Sequence, residues 1–233
     1  MTNYYQTIIN ELDDRINELT YEPSNSLISY ENAIILVLQK LEEIKKYIKK
    51  NGFKDDEAEI LFFKQLKPQL VSKLIYFNAI YKIETKRPRG GDKIIKKYLN
   101  VELSKIKRYF DANLEFYKYY RTNSTHLDYK FFLRGKHDIK LSLDTYYFEA
   151  DHNFATSHDY KVAKIIANDL IQVYLEDQLS NNNQRKLLET PPLNWTGSKT
   201  SLIELIYSLH SQGSIDNGNA DIKIIAKTFE NIF

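Results

Sequence analysis

Apolar residues recur every three or four positions along most of the chain, the period of an amphipathic helix. Ile8, Ile9, Leu12, Ile16 and Leu19 predict a helix over 3–20, and Pro23-Ser24-Asn25-Ser26 breaks the pattern. Ile34, Leu38, Leu41, Ile44 and Ile48 predict a second helix over 29–50, closed by a Lys-rich turn and Asn51-Gly52. A third helical stretch covers 55–84, with Pro68 predicting a fresh start or a kink. Asp92 can cap a fourth over 93–121. The pattern is weaker from 122 to 154, where helices are expected over 127–134 and 140–148 around a loop at Lys136-His137-Asp138-Ile139. Thr156-Ser157-His158-Asp159 has the form of a capping box, hydroxyl first and carboxylate three on. The helix it opens is expected to reach about residue 181 and to bury Val162, Ile165, Ile166, Leu170 and Tyr174. Asn181-Asn182-Asn183-Gln184 and then Pro191-Pro192 read as a linker.

Beyond the linker, two more helical runs come in close succession. Leu202, Leu205, Ile206 and Leu209 form one apolar stripe; Ile222, Ile225, Ala226 and Phe229 form the other. The Gly213 to Asn219 segment between them is rich in turn residues. The pattern predicts an all-α protein: a helical body over 1–185 and a helix-turn-helix or winged-helix-like module over 191–233. Two helices alone bury little, and the chain stops on Ile232-Phe233. A working form continuing past residue 233, with a further helix, is therefore expected.

Composition narrows the class. Gly and Pro are scarce, at 7 and 5, which favours long helices. Cysteine is absent, so disulfides and thiolate metal sites are excluded. No apolar run approaches the roughly 20 residues that span a bilayer, and the N-terminus lacks the order of a signal peptide. A cytoplasmic protein without membrane contact is the expectation. The net charge of +2 conceals a strong asymmetry: residues 82–140 carry 16 basic and 7 acidic side chains, whereas residues 1–63 carry 7 and 12. Any long-range attraction for a polyanion comes from the middle of the chain.

Two stretches qualify as binding surfaces. Thr196-Gly197-Ser198-Lys199-Thr200 ends in Lys-Thr but lacks the Gly spacing of a nucleotide-binding loop. On residue types alone, a helix start capped by Ser201 and Glu204 is preferred. The functional alternative is a helix N-terminus that holds a DNA phosphate with Lys199 and its neighbouring hydroxyls. Arg87, Arg89, Lys96, Lys97, Lys105 and Arg108 form a possible auxiliary basic face, interleaved with Tyr and Phe that are expected to be core. The His-Asp pairs at 126–128, 137–138, 151–152 and 158–159 lack the three- or four-residue spacing of a helical metal site. No metal, no cofactor and no enzymatic activity is expected.

Asn194-Trp195-Thr196-Gly197-Ser198-Lys199-Thr200, the run Leu202-Ile203-Glu204-Leu205-Ile206-Tyr207, and Asn217-Gly218-Asn219-Ala220-Asp221-Ile222-Lys223 together resemble the RteC family. So do Phe63-Lys64 with Lys67-Pro68, Leu74-Ile75-Tyr76 with Glu84, Tyr119-Tyr120-Arg121, and the segment from Asp151 through Phe154-Ala155-Thr156 to Asp159. The resemblance covers about 60 to 233. It implies a helical N-terminal domain, a winged-helix DNA-binding domain, and transcriptional control of excision of Bacteroides conjugative transposons linked to tetracycline resistance. On that basis the expected partner is double-stranded promoter or operator DNA. Its expected contacts are Trp195, Thr196, Gly197, Ser198, Lys199, Thr200, Lys223 and Lys227. The rival expectation is a helical protein–protein adaptor that does not touch DNA. A third, ranked last, is a small-molecule sensor with aromatic side chains lining a pocket between helices.

Overall fold

The computed structural model describes residues 2–20, 26–141, 144–188 and 194–232. Every regular element among them is helical, and no strand occurs among them. The chain divides into two compact units, Met1–Ser180 and Asn181–Phe233.

The first unit begins with α1 (Thr2–Thr20) and α2 (Ser26–Asn51), which pack against each other and bury Tyr5, Ile8, Leu12, Val37 and Ile44. The helical period predicts both. Residues 21–25, with Pro23, lie outside the described residues. Gly52 closes α2 at φ +64, its N–H on the Ile48 carbonyl at 2.8 Å. Only glycine enters that left-handed region without strain. Leu38, expected on the buried side of α2, is 50% exposed; Ala33, Leu36 and Val37 carry the contact instead.

Asp55 caps the next helix, accepting the Ala58 N–H at 2.8 Å. It opens one continuous rod: α3 (Asp56–Leu61), a π-helical turn (Phe62–Leu66) and α4 (Lys67–Thr85). Pro68 falls in the first turn of α4, the fresh start expected there. Its missing N–H falls just after the wide turn, where the Lys67 N–H reaches five residues back to the Phe62 carbonyl. Widening the turn also carries three consecutive side chains, Phe62, Phe63 and Lys64, into the interior.

The predicted helix over 93–121 is two: α5 (Asp92–Ala112) and α6 (Leu114–Arg121). Asn113 leaves the helical region at φ −119, ψ 26, and its side-chain amide caps the Tyr109 carbonyl at 2.9 Å. The middle segment holds only α7 (Asp128–Phe131) and α8 (Tyr146–Glu149), shorter than expected; residues 142 and 143 are outside the described set. The last long helix, α9 (Asp159–Leu188), includes the Asn181-to-Gln184 run expected to be linker. Asn costs a helix only a few tenths of a kcal/mol, and no Gly or Pro intervenes. Pro191 and Pro192 lie outside the described residues. Val162, Ile165, Ile171 and Leu175 of α9 are buried, whereas Leu170 faces solvent at 46%. Two apolar clusters result. One joins α1, α2 and the π turn to Phe116, Phe131 and Phe132; the other joins Ile80 and Ile83 of α4 to Leu99, Ile106, Ile171 and Leu175.

The second unit contains α10 (Lys199–Ser211), a 3-10 turn (Asp216–Gly218) and α11 (Ile222–Ile232). Ile206 and Ile225 form its buried centre, flanked by half-buried Leu202, Leu209, Ile222, Ala226 and Phe229; Leu205 is 37% exposed. The turn needs its sequence. Asp216, Asn217 and Gly218 all have positive φ, at 50, 55 and 86, values that Asp, Asn and Gly tolerate best. Gly213, at φ +65, ends α10, and a Cβ placed there would lie 3.3 Å from the Gly218 Cα.

Candidate nucleic-acid interface

The start of α10 is built from a few hydroxyls and one indole. Ser198 is the cap, not Ser201: its Oγ accepts the Ser201 N–H at 3.1 Å, and the Ser201 hydroxyl donates to the Ser198 carbonyl at 2.8 Å. The expected Ser201–Glu204 box is therefore replaced by a cap three residues earlier. That shift makes Lys199 the first helical residue. Helix geometry gives the N–H groups of Lys199 and Thr200 no intrahelical acceptor. Both residues are exposed, as are Thr196, Gly197 and Ser198. Trp195 is half-buried and folds back over this corner, its Nε1 donating to the Ser198 carbonyl at 3.0 Å. A Cβ on Gly197 would approach that indole nitrogen to 3.0 Å, so glycine is what permits the stack. Trp195 thus shapes the helix start.

Lys223 and Lys227 are exposed one turn apart on α11. Asp221 opens that helix: its carbonyl accepts from Ile224 and Ile225, and its carboxylate accepts the Lys223 N–H at 2.7 Å. The cations in this unit are few, and Glu204, Asp216, Asp221 and Glu230 offset them. The candidate surface is a capped helix end with scattered lysines.

The auxiliary basic residues divide. Arg89, Lys97, Lys105 and Arg108 are exposed, and Lys96 is half-buried. Lys105 is ion-paired to Glu102 at 2.5 Å. Arg87 is half-buried and engaged within the body: it bridges Glu84 at 3.0 Å and the Gln178 side chain at 3.1 Å. The interleaved aromatics are core or packed against it, with Phe116 and Tyr119 buried.

Most of the buried ion pairs of the first unit lie at residues that the hydrophobic pattern does not mark as interior. The π turn delivers Lys64 to Asp128, with Nζ 2.8 Å from both carboxylate oxygens and 2.8 Å from the Ser124 carbonyl; Tyr119 donates to the same carboxylate at 2.8 Å. One turn on, Lys67 pairs with Asp159 and the Phe154 carbonyl, both charged groups being nearly or fully buried. Arg134 grips Glu59 with two side-chain bonds of 2.8 and 2.9 Å, and its own N–H adds a third. Burial would push the Glu59 carboxyl up, but these donors prevail and hold it below its usual range. Tyr174 donates to Glu84 at 2.7 Å.

The Thr156–Asp159 box forms only by half. The Thr156 N–H reaches the Asp159 carboxylate at 3.2 Å, while the Thr156 hydroxyl, buried, has no partner among the described residues. His158 is 1% exposed with Nδ1 2.9 Å from the Ser157 hydroxyl. Burial, and then the charge of Lys161, press its pKa down to about 3, so the ring is neutral at physiological pH. Among the described residues no three His, Asp or Glu side chains are placed to hold a metal, and no helix is long and apolar enough to cross a membrane.

A helical body laced with internal ion pairs and a separate pair of capped helices define an all-α protein of two units. It belongs to the RteC family: the model described as "RteC protein" matches residues 61–233, most of the chain. No curated protein and no solved structure matches it. Several residues that carry the resemblance have physical roles. Lys64, Lys67 and Asp159 take part in the buried ion pairs, Tyr119 donates to the Asp128 carboxylate of one of them, Glu84 anchors Tyr174, and Asn217-Gly218 makes the left-handed turn. Membership fits a regulator related to conjugative transposons.

Proposed function

We propose that this chain is a sequence-specific, DNA-binding transcriptional regulator that controls excision or transfer genes of a mobile element. The family supports the setting. The observation that carries the DNA reading is the start of α10, where Lys199, Thr200 and Ser198 lie exposed around unpaired helix N–H groups. Such an end attracts phosphate through its N–H donors and the helix dipole. Thr196, Gly197 and Trp195 extend the contact, and Lys223 and Lys227 add two further cations. The exposed cations of α5 supply long-range attraction. A winged-helix arrangement is part of this reading, with α10 and α11 as its first helices.

Trp195 is the only tryptophan and sits beside the proposed contact, so its fluorescence is a direct probe. Titration with duplex promoter DNA of the element is expected to change Trp195 emission saturably. Unrelated duplex of equal length should require much more DNA. Binding without any change at Trp195 would move the interface elsewhere.

A second reading, a helical adaptor, has one observation in its favour. Ile203 and Tyr207 of α10 and Ile224 of α11 are 45%, 61% and 65% exposed, apolar side chains of the kind a protein partner would cover. Absence of duplex binding at low salt would select this reading.

A further inference from the structure

A groove of about 270 Å³ lies between α4, α5 and α9 within the first unit. Its floor is apolar, formed by Ile83, Ile106, Ile171 and Leu175, and Tyr98 and Tyr109 stand at its sides. Its charged groups are almost all cations. Lys82 reaches it from α4 and Lys86 from just past the end of that helix, Lys105 from α5, and Lys164 and Asn168 from one face of α9. Glu102 is the single carboxylate, and it is paired with Lys105. Among the described residues no carboxylate lies within ion-pair distance of Lys82, Lys86 or Lys164.

Two features show that this arrangement is unsatisfied as it stands. Asn168 is 4% exposed, and its side-chain N–H₂ has no hydrogen-bond partner among the described residues. An orphaned buried donor costs roughly 1–3 kcal/mol unless something occupies the groove. Lys164 is half-buried with its ammonium 6.0 Å from the Tyr109 ring. Burial, and then the like charge of Lys82, lower its pKa. A bound anion would relieve both penalties.

We propose that this groove binds a small amphipathic anion, a phosphate or carboxylate head on a ring-sized apolar body. Lys164, Lys82 and the Asn168 amide take the head, with Lys86 beside them. The apolar floor and the two tyrosines take the body. The volume fits a ligand smaller than most drug-sized molecules. A recessed floor with a buried amide donor suits a small molecule better than a duplex backbone, which meets cations on a convex surface. The site makes the helical body a sensor for an effector, and it does not depend on whether the second unit binds DNA.

The test is isothermal titration of the full chain with phenyl phosphate, beside inorganic phosphate and the neutral benzyl alcohol. Phenyl phosphate is expected to bind one-to-one with Kd tighter than about 1 mM, and more tightly than either control. Lys164→Met and Asn168→Leu should each weaken it at least about tenfold, whereas Lys107→Ala, outside the groove, should not. Lys82→Met, on the exposed side, repeats the test if either buried variant fails to fold. Absence of saturable heat, equal binding by wild type and Lys164→Met, or equal affinity for benzyl alcohol would each overturn the proposal. Displacement of phenyl phosphate by duplex DNA would overturn it too, and would assign the groove to nucleic acid.

Discussion

The pair of Lys67 with Asp159 offers the sharpest test of how the body is held together. Asp159 is 3% exposed and Lys67 9%, so both charges are largely withdrawn from water. Asp159→Asn keeps the shape and an acceptor for the Thr156 N–H, but it removes the countercharge. Lys67 then retains only the Phe154 carbonyl and the faces of Phe63 and Phe154, at 5.3 and 4.7 Å. Breaking a buried pair by removing one partner costs about 3–5 kcal/mol. For a unit of this size each kcal/mol is worth roughly 2–4 °C, so Tm should fall by about 6–20 °C. Replacing both partners, as Lys67→Met with Asp159→Leu, removes the stranded charge and should recover most of the loss, because apolar replacement of a whole buried pair is often neutral or stabilising. Urea unfolding followed by far-UV circular dichroism at pH 7 measures all three proteins. A single variant within about 1 kcal/mol of wild type, or a double variant less stable than the single, would refute the reasoning.

His158 and the inter-helix turn give two more tests. His158 binds its proton at about pH 3 when folded and near 6.5 when unfolded. Its contribution is complete above about pH 6.5 and is lost as pH falls toward 3, at up to roughly 1.4 kcal/mol per unit. His158→Gln should flatten the acid limb of the stability curve by about one proton between pH 6 and 4; parallel limbs would contradict this. Gly213→Ala places a Cβ at φ +65 and 3.3 Å from the Gly218 Cα, at a cost of about 1–2 kcal/mol. Amide exchange in α10 and α11 should speed up about 5- to 30-fold, and unchanged protection would show that the turn has slack.

How far the chain can be read from its sequence depends on where the information lies. The α1 and α2 helices are legible because Ile8, Leu12, Ile16, Ile44 and Ile48 obey one local period. The fresh start at Pro68 is legible, but the π turn before it is not, since a π turn has no signature in a hydrophobic pattern tuned to 3.6 residues. The same turn hides the ion pairs. Lys64 and Lys67 look like surface residues by type, and their partners lie 64 and 92 residues away. Arg87 is misplaced in part for the same reason, since one of its acceptors, Gln178, lies 91 residues away on α9. The cap of α10 is one turn off because serine is an equally good cap at 198 and 201, and the local bonds of Trp195 and Ser201 gather at Ser198. The groove is invisible in the sequence, because Lys82, Lys105 and Lys164 converge from three helices.

The claim that the helix start at Lys199 grips duplex DNA is tested most directly by salt. The affinity of wild type and Lys199→Ala for promoter duplex should be measured across a range of salt, with log affinity plotted against log salt concentration. Each phosphate contact contributes a slope of about −0.9. The account predicts that Lys199→Ala flattens the slope by about one unit while circular dichroism shows an unchanged fold. Equal slopes for the two proteins would remove Lys199, and with it the start of α10, from the interface.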